Sequence, residues 1–197
     1  KLMLDKNVDI HDCIVHTQYI NLDIIPSCFT LSKTEDLIKA DVTSPQQFRL
    51  KRKLKDVQDE YDYCIIDTSP SLSLLNMNGL VAADELYIPL KCDGGSLLGV
   101  GLVMSVYETV SQYNTDLQLG GIFFTQWNGR KNVSKVVYNL MKDKFGKNIL
   151  PITIGISKNV EECSLAQQAL LDYDSSKNKC RVTNDYIELT EYILNRQ

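Results

Sequence analysis

The sequence predicts an α/β fold, a doubly wound, mostly parallel sheet flanked by helices. Three observations point to it. From Tyr63 onward, short runs rich in β-branched and aromatic residues alternate with longer apolar segments, the pattern of parallel strands joined by crossover helices. The run Tyr63–Cys64–Ile65–Ile66 ends on one carboxylate, Asp67, followed by a polar turn, Thr68–Ser69–Pro70–Ser71, and a long apolar helix. Open α/β sheets bind ligands at the carboxyl ends of such strands. A chain of 197 residues with 44% hydrophobic content suits one globular domain over residues 1–197.

The elements follow in order. Residues 8–15 read as a short helix, 21–25 as a strand and 31–40 as a helix. Ser44 before Pro45 is a helix start, with Ser as N-cap and Pro at the first helical position. That helix is expected to run to about residue 60 on Phe48, Leu50, Leu54 and Val57. Strands are then expected at 63–67, 85–90, 119–126 and 149–154. Helices are expected at 72–83, 97–113, 133–145, 160–171 and 184–195. No repeat, low-complexity tract or linker interrupts this alternation.

Composition removes several function classes. Six cysteines show no C-x-x-C spacing, and the two histidines, His11 and His16, lie close together near the start, so a zinc site is not indicated. With no secretory signature, the thiols fit a reducing cytoplasm. The most apolar stretch, residues 97–106, contains two glycines and is far shorter than the ~20 residues a membrane span needs. A net charge of −4 argues against wholesale coating of nucleic acid. Two basic clusters remain: the run from Arg49 to Lys55, and Arg130, Lys131, Lys135, Lys142, Lys144 and Lys147. Each reads most simply as a solvated helix face, with phosphate neutralisation as the alternative.

Asp67 also has two readings. After an apolar strand an Asp is a common turn former and helix cap. In P-loop ATPases a carboxylate at this position holds Mg²⁺ beside the β- and γ-phosphates.

Neighbouring residues favour the second reading. Asp67, Pro70, Ser71 and Leu72, then Asn78, Gly79 and Leu80, then Ala82, Ala83 and Asp84 resemble the Walker B region of the ParA/Soj family of chromosome- and plasmid-partitioning ATPases. Ser69 stands where that family has the first proline of a pair, and Gly79 stands where Ala is usual. The resemblance extends along the chain. Asn21–Leu22–Asp23–Ile24–Ile25–Pro26–Ser27 looks like the strand ending in Leu-Ile-Pro-Ser, and Glu85–Leu86–Tyr87–Ile88–Pro89–Leu90 like the next strand with its proline. Gly120–Gly121–Ile122–Phe123–Phe124–Thr125 is similar to the following strand. Ile156–Ser157–Lys158–Asn159–Val160 is similar to Ile-Pro-Arg-Asn-Val, and Tyr173–Asp174 to Tyr-Asp-Pro.

The resemblance implies ATP and Mg²⁺ as cofactors, with Asp67 serving the metal. The base would lie between two loops, Gln126, Trp127 and Asn128 on one and Ile156, Ser157 and Lys158 on the other. Trp127 can stack on a base or cap the core, and Asn128 before Gly129 is equally a plain turn. The resemblance further implies a homodimer formed with ATP, non-specific DNA binding through Arg130, Lys131 and Lys135, hydrolysis stimulated by a ParB-like partner, and a cytoplasmic, nucleoid-associated location. Basic amphipathic C-terminal helices mark membrane-binding relatives. The acidic stripe after Asn184 would be repelled by anionic lipid, so no membrane partner is expected.

No Gly-x-x-x-x-Gly-Lys-[Ser/Thr] occurs in the chain. That loop cradles phosphates on backbone amides. We therefore expect these residues to be the C-terminal portion of a longer ATPase or a truncated relative, lacking the family's first strand and P-loop. The rival expectation is a non-catalytic interaction or regulatory module on the same fold.

Overall fold

The computed structural model describes residues 2–28, 31–69, 71, 73–175 and 180–196. Pro70 and Leu72 of the Asp67 turn lie outside the described residues. The chain divides into two compact units, Lys1–Leu86 with Leu102–Gln118, and Tyr87–Gly101 with Leu119–Gln197.

In the first unit, β1 (Val15–His16) and β2 (Asp23–Ile24) form a small antiparallel pair. The strand expected at 21–25 is thus shorter and sits in a hairpin ladder. The helix expected at 8–15 is only a 3₁₀ turn, His11–Cys13. Helix α1 (Leu31–Ala40) falls where the apolar spacing put it. The helix expected from Ser44 to about residue 60 becomes a 3₁₀ turn, Gln46–Phe48, followed by α2 (Arg49–Leu54). A tertiary partner sets that start. Oδ1 of Asn78 accepts the amides of Arg49 (3.0 Å) and Leu50 (3.2 Å), satisfying orphan donors at the N-terminus of α2. Ser44 instead accepts a hydrogen bond from Arg52 Nη1 at 2.7 Å.

Helix α3 (Leu74–Ala82) begins on Ser73, whose side chain accepts from the Asn76 amide, and Glu35 Oε1 accepts the Leu74 amide. Its other end is held by Asn114, buried, which donates to the carbonyls of Leu80 and Ala83. Leu80 and Val81 build the core of this unit with Val106, Val110 and Leu117.

The strand expected at 63–67 is not formed. Residues 63–69 carry no regular secondary structure and join no ladder among the described residues, and Ile65 is 94% exposed. An apolar run specifies a strand only when neighbours take its backbone donors and acceptors. Apolar composition alone cannot supply them.

The second unit is built on a three-stranded parallel sheet of order β3-β4-β5, from β3 (Glu85–Lys91), β4 (Gln118–Thr125) and β5 (Ile149–Thr153). Strand β4 pairs in parallel with β5 through Ile122 opposite Ile149 and Phe124 opposite Thr153, with an irregularity between. Gly121 to Phe124 are all buried, as expected of a strand covered on both faces. Alternation sends Phe123 to one face, with Leu150, Ile152, Ile154 and α8 (Arg181–Leu194) residues Val182 and Leu189. Phe124 goes to the other face, where its ring meets Tyr138 of α5 (Asn132–Phe145) at 5.3 Å. A side chain at Gly121 would collide with Leu150, so the two strands can approach only without a Cβ there.

Helix α4 (Gly94–Val110) connects β3 and β4 in sequence. The single helix expected at 160–171 is two, α6 (Lys158–Leu165) and α7 (Leu170–Ser175). Gln167 takes the left-handed conformation at φ 53°, Gln168 N donates to Cys163 O, and Gln167 N donates to Ser164 O. This is the Schellman pattern that ends helices, with Gln where Gly is usual. At the end of α5 the C-cap Gly146 also takes a positive φ, 53°, which glycine adopts without steric cost.

Candidate functional site

Asp67 belongs to the first unit and is exposed. Its surroundings are ordered by one asparagine of α3, Asn76. The Asn76 side-chain amide donates to the carbonyls of Ser69 and Ser71 (2.8 Å to the latter) and lies 2.9 Å from Ser71 Oγ. Asn76 thereby folds the turn after Asp67 back onto the N-terminus of α3. The backbone of α3 comes close to the segment beside Asp67. A Cβ built at Gly79 would lie 3.2 Å from Ile66 Cγ2 and 3.3 Å from Thr68 Cγ2. The departure from Ala at this position therefore matches a tight approach. A carboxylate that is exposed while its flanking turn is fixed suits a hard cation. Mg²⁺ is commonly bound by one or two carboxylates plus phosphates and water. Among the described residues no three metal-ligating side chains cluster.

The six base-loop residues belong to the second unit, and two backbone hydrogen bonds bring their loops side by side. Ile154 N donates to Phe124 O at 2.7 Å, and Trp127 N donates to Ile154 O at 2.8 Å. The loops leaving β4 and β5 are therefore zipped together at the carboxyl edge of the parallel sheet, where such folds bind ligands. Gln126 adopts φ 51°, a conformation uncommon for a residue with a side chain. That kink turns the chain out of β4 and leaves the Gln126 side chain exposed.

Trp127 is half-buried and packs on Phe124 (5.8 Å between ring centroids) and Tyr138 (5.6 Å). It caps the α5 side of the sheet. Asn128 makes the turn its sequence allows. Its Oδ1 accepts the Arg130 amide at 3.0 Å and its carbonyl accepts the Lys131 amide at 3.0 Å. On the other loop Ser157 caps α6, accepting the Asn159 amide at 3.1 Å, while Ile156 and Lys158 face solvent.

Two carboxylates that sequence reasoning did not single out as site residues hold this second loop. Asp185 of α8 accepts the Gly155 amide at 2.8 Å, just before Ile156, and pairs with Arg181 at 3.6 Å. Asp174 of α7 is buried and accepts from Thr183 Oγ1, from the Cys180 amide (2.9 Å) and from Asn159 Nδ2 (2.7 Å). Hydrogen bonds from Thr183, Cys180 and Asn159, in that order, hold the Asp174 carboxyl well below the usual carboxylate range. The signal for Asp174 was its place in the Tyr-Asp pair. For Asp185 it was an acid on a helix stripe that otherwise alternates with apolar residues.

Arg130, Lys131 and Lys135 are exposed and share one segment, the turn after β4 and the first turn of α5. No acidic residue occupies that first turn. Cations at a helix N-terminus are disfavoured by the helix dipole, so this placement costs stability. Among the described residues no helix is long and apolar enough to cross a membrane.

Comparison with known proteins gives the family of the chain. The profile of a family described as AAA domain matches residues 1–119. The sporulation initiation inhibitor protein Soj of Bacillus subtilis (strain 168) is 35% identical over 161 residues, 79% of this chain and 63% of that protein. The chromosome-partitioning ATPase Soj of Treponema pallidum (strain Nichols) is 31% identical over 196 residues, 98% of this chain and 75% of that protein. Against the Bacillus relative the chain thus spans less than two-thirds of the full length. Among solved structures, cobyrinic acid a,c-diamide synthase from Mycobacterium smegmatis with bound ADP and magnesium is similar at TM-score 0.72 and 28% identity. The match covers 90% of this chain and 72% of that one. The chain belongs to the ParA/Soj family of chromosome-partitioning ATPases.

Proposed function

We propose that these 197 residues form the part of a partitioning ATPase that follows its phosphate-binding loop. In the whole protein ATP and Mg²⁺ bind, the ATP form dimerises and holds DNA without sequence preference, and a ParB-like partner stimulates hydrolysis. The observation that carries the reading is the zipped pair of loops at the carboxyl edge of the sheet, Trp127 N to Ile154 O, with Asp185 and Asp174 fixing the second loop from behind. Gln126, Asn128, Ser157 and Lys158 border the base, with Ile156 against its face. Trp127 supports the first loop from the core.

Asp67 holds Mg²⁺, which neutralises charge on the phosphates during transfer. Asn76 and the serines after Asp67 position that carboxylate. Arg130, Lys131 and Lys135 face DNA phosphates.

The test is ATP turnover by the P-loop-containing protein and its Asp67→Ala variant. Loss of Mg²⁺-dependent hydrolysis with an unchanged melting temperature is the expected result. An exposed carboxylate contributes to the metal and little to the core. Unchanged turnover would reduce Asp67 to a turn residue. The 197-residue chain itself is expected to show no turnover, because backbone amides and a lysine that stabilise the transferring phosphoryl group are not in its sequence.

A further inference from the structure

We propose that Glu35 of α1 is a positioning residue for Asp67, acting through the first turn of α3. The inference rests on the reading of Asp67 as the Mg²⁺ carboxylate, and it adds a residue from a separate element of the first unit.

The link begins at the turn after Asp67. Asn76 is only 7% exposed, and its side-chain amide donates to Ser69 O and to Ser71 O at 2.8 Å. Where that turn sits therefore depends on where Asn76 sits. Before Asp67 and just after it, the backbone of α3 at Gly79 comes close to Ile66 and Thr68. The segment carrying Asp67 is thus laid along α3, and the placement of α3 sets the placement of the carboxylate.

Asn76 is the third residue of α3. The first turn of a helix is its weakest part, because its amides have no partner within the helix and its ends fray. Two of these amides are taken from outside the helix. Ser73 Oγ accepts the Asn76 amide at 3.1 Å as an N-cap. Glu35 Oε1 accepts the Leu74 amide at 3.1 Å, and as a carboxylate it also meets the positive end of the α3 dipole.

The two caps differ in what they hold on to. Ser73 moves with the loop that has to be fixed. Glu35 refers the start of α3 to another helix, and it is itself held. Lys39 Nζ lies 2.7 Å from the same Oε1, and Ile38, fully buried, seats that side of α1, which packs against α3.

The experiment has two readouts. Amide exchange of the full chain, followed by NMR, reports the turn without metal. Glu35→Ala removes the acceptor, and Glu35→Asp is one methylene too short for the Leu74 amide. In both, exchange at residues 74–77 and at the Asn76 side-chain amide should speed up by about tenfold or more, the loss of one hydrogen bond to a charged group. Leu189 of α8 should exchange as in the parent. Glu35→Gln still accepts from Leu74 N, and Lys39→Ala removes an i,i+4 pair only, so both should stay within about threefold of the parent. In the P-loop-containing protein, the Mg²⁺ concentration for half-maximal ATP turnover should rise about tenfold in Glu35→Ala and Glu35→Asp, with kcat at saturating Mg²⁺ nearly unchanged and Glu35→Gln near the parent. Glu35→Asp decides the matter if Glu35→Ala fails to fold.

Asp67→Ala is measured beside these variants. If it loses Mg²⁺-dependent turnover while Glu35→Ala and Glu35→Asp keep the parent's Mg²⁺ midpoint, Glu35 does not position Asp67. If it turns over normally, the reading of Asp67 falls and this inference falls with it. Unchanged exchange at Leu74 and Asn76, or a melting temperature and kcat that drop together at an unshifted Mg²⁺ midpoint, would leave Glu35 a structural cap and overturn the proposal.

Discussion

Asn78 is the side chain whose removal should be felt most in the first unit. It is fully buried within α3, and its amide is used completely. Oδ1 accepts from Arg49 N and Leu50 N, and Nδ2 donates to Gln46 O (2.9 Å) and Leu74 O (2.9 Å). Asn78→Ala strands two amides at the start of α2 and the carbonyl of Gln46, while Leu74 O keeps its place in the α3 ladder. Each buried orphan costs about 1–3 kcal/mol. Water entering the small space left by the amide recovers part of this, so the expected loss is about 3 kcal/mol. That is a large share of the roughly 5–15 kcal/mol that holds a domain together. Urea denaturation of the full chain measures it, as a midpoint lowered by about 1–1.5 M at a slope of about 2–3 kcal/mol/M. Asn139→Ala on the exposed side of α5 is the control, with a change inside about 0.5 kcal/mol. A loss below about 1 kcal/mol for Asn78→Ala would mean that α2 does not depend on its tertiary cap, and the account of where α2 starts would fall.

Two further outcomes are expected. His11 lies between Glu60 (2.9 Å) and Asp9 (2.6 Å), whose hydrogen bonds, Glu60's the larger effect, raise its pKa from 6.5 to about 9. The folded state therefore favours protonated His11, so this contribution is fully present below pH 6.5 and is lost as pH rises through about 9. Stability should fall across that window and His11→Gln should flatten the slope, and parallel pH profiles for parent and variant would refute the linkage. In the nucleotide-loaded P-loop form, Arg130→Ala/Lys131→Ala should weaken binding about equally on all duplex DNA and lower the salt slope by roughly one unit per lost contact. An unaltered slope and affinity would make the patch a solvated face.

Along the chain, local pattern and tertiary context divided the work. Local pattern by itself determined α1, α3, α5 and β3, since each lies on the stretch whose composition and apolar spacing marked it. The order of motifs by itself determined the family, since each fragment was short but their sequence and spacing were not accidental. Asn128 before Gly129 determined a turn, as local Asx chemistry does not need distant partners.

Other features were decided elsewhere in the molecule. The segment at 63–67 has strand composition but no ladder, because backbone pairing is supplied by neighbours and not by the segment itself. Helix α2 starts at Arg49 and not at Pro45 because a carbonyl oxygen of Asn78, distant in sequence, takes its first amides. The break between α6 and α7 rests on Gln167 accepting a left-handed conformation that its side chain does not advertise. The two loops proposed for the base were legible one at a time. Their adjacency was not, because it depends on the parallel register of β4 and β5 and on Asp174 and Asp185 reaching the second loop from α7 and α8. Local propensity is written in a few consecutive residues. Register, caps and loop anchors are contacts between residues far apart in sequence, and only the folded chain brings those together.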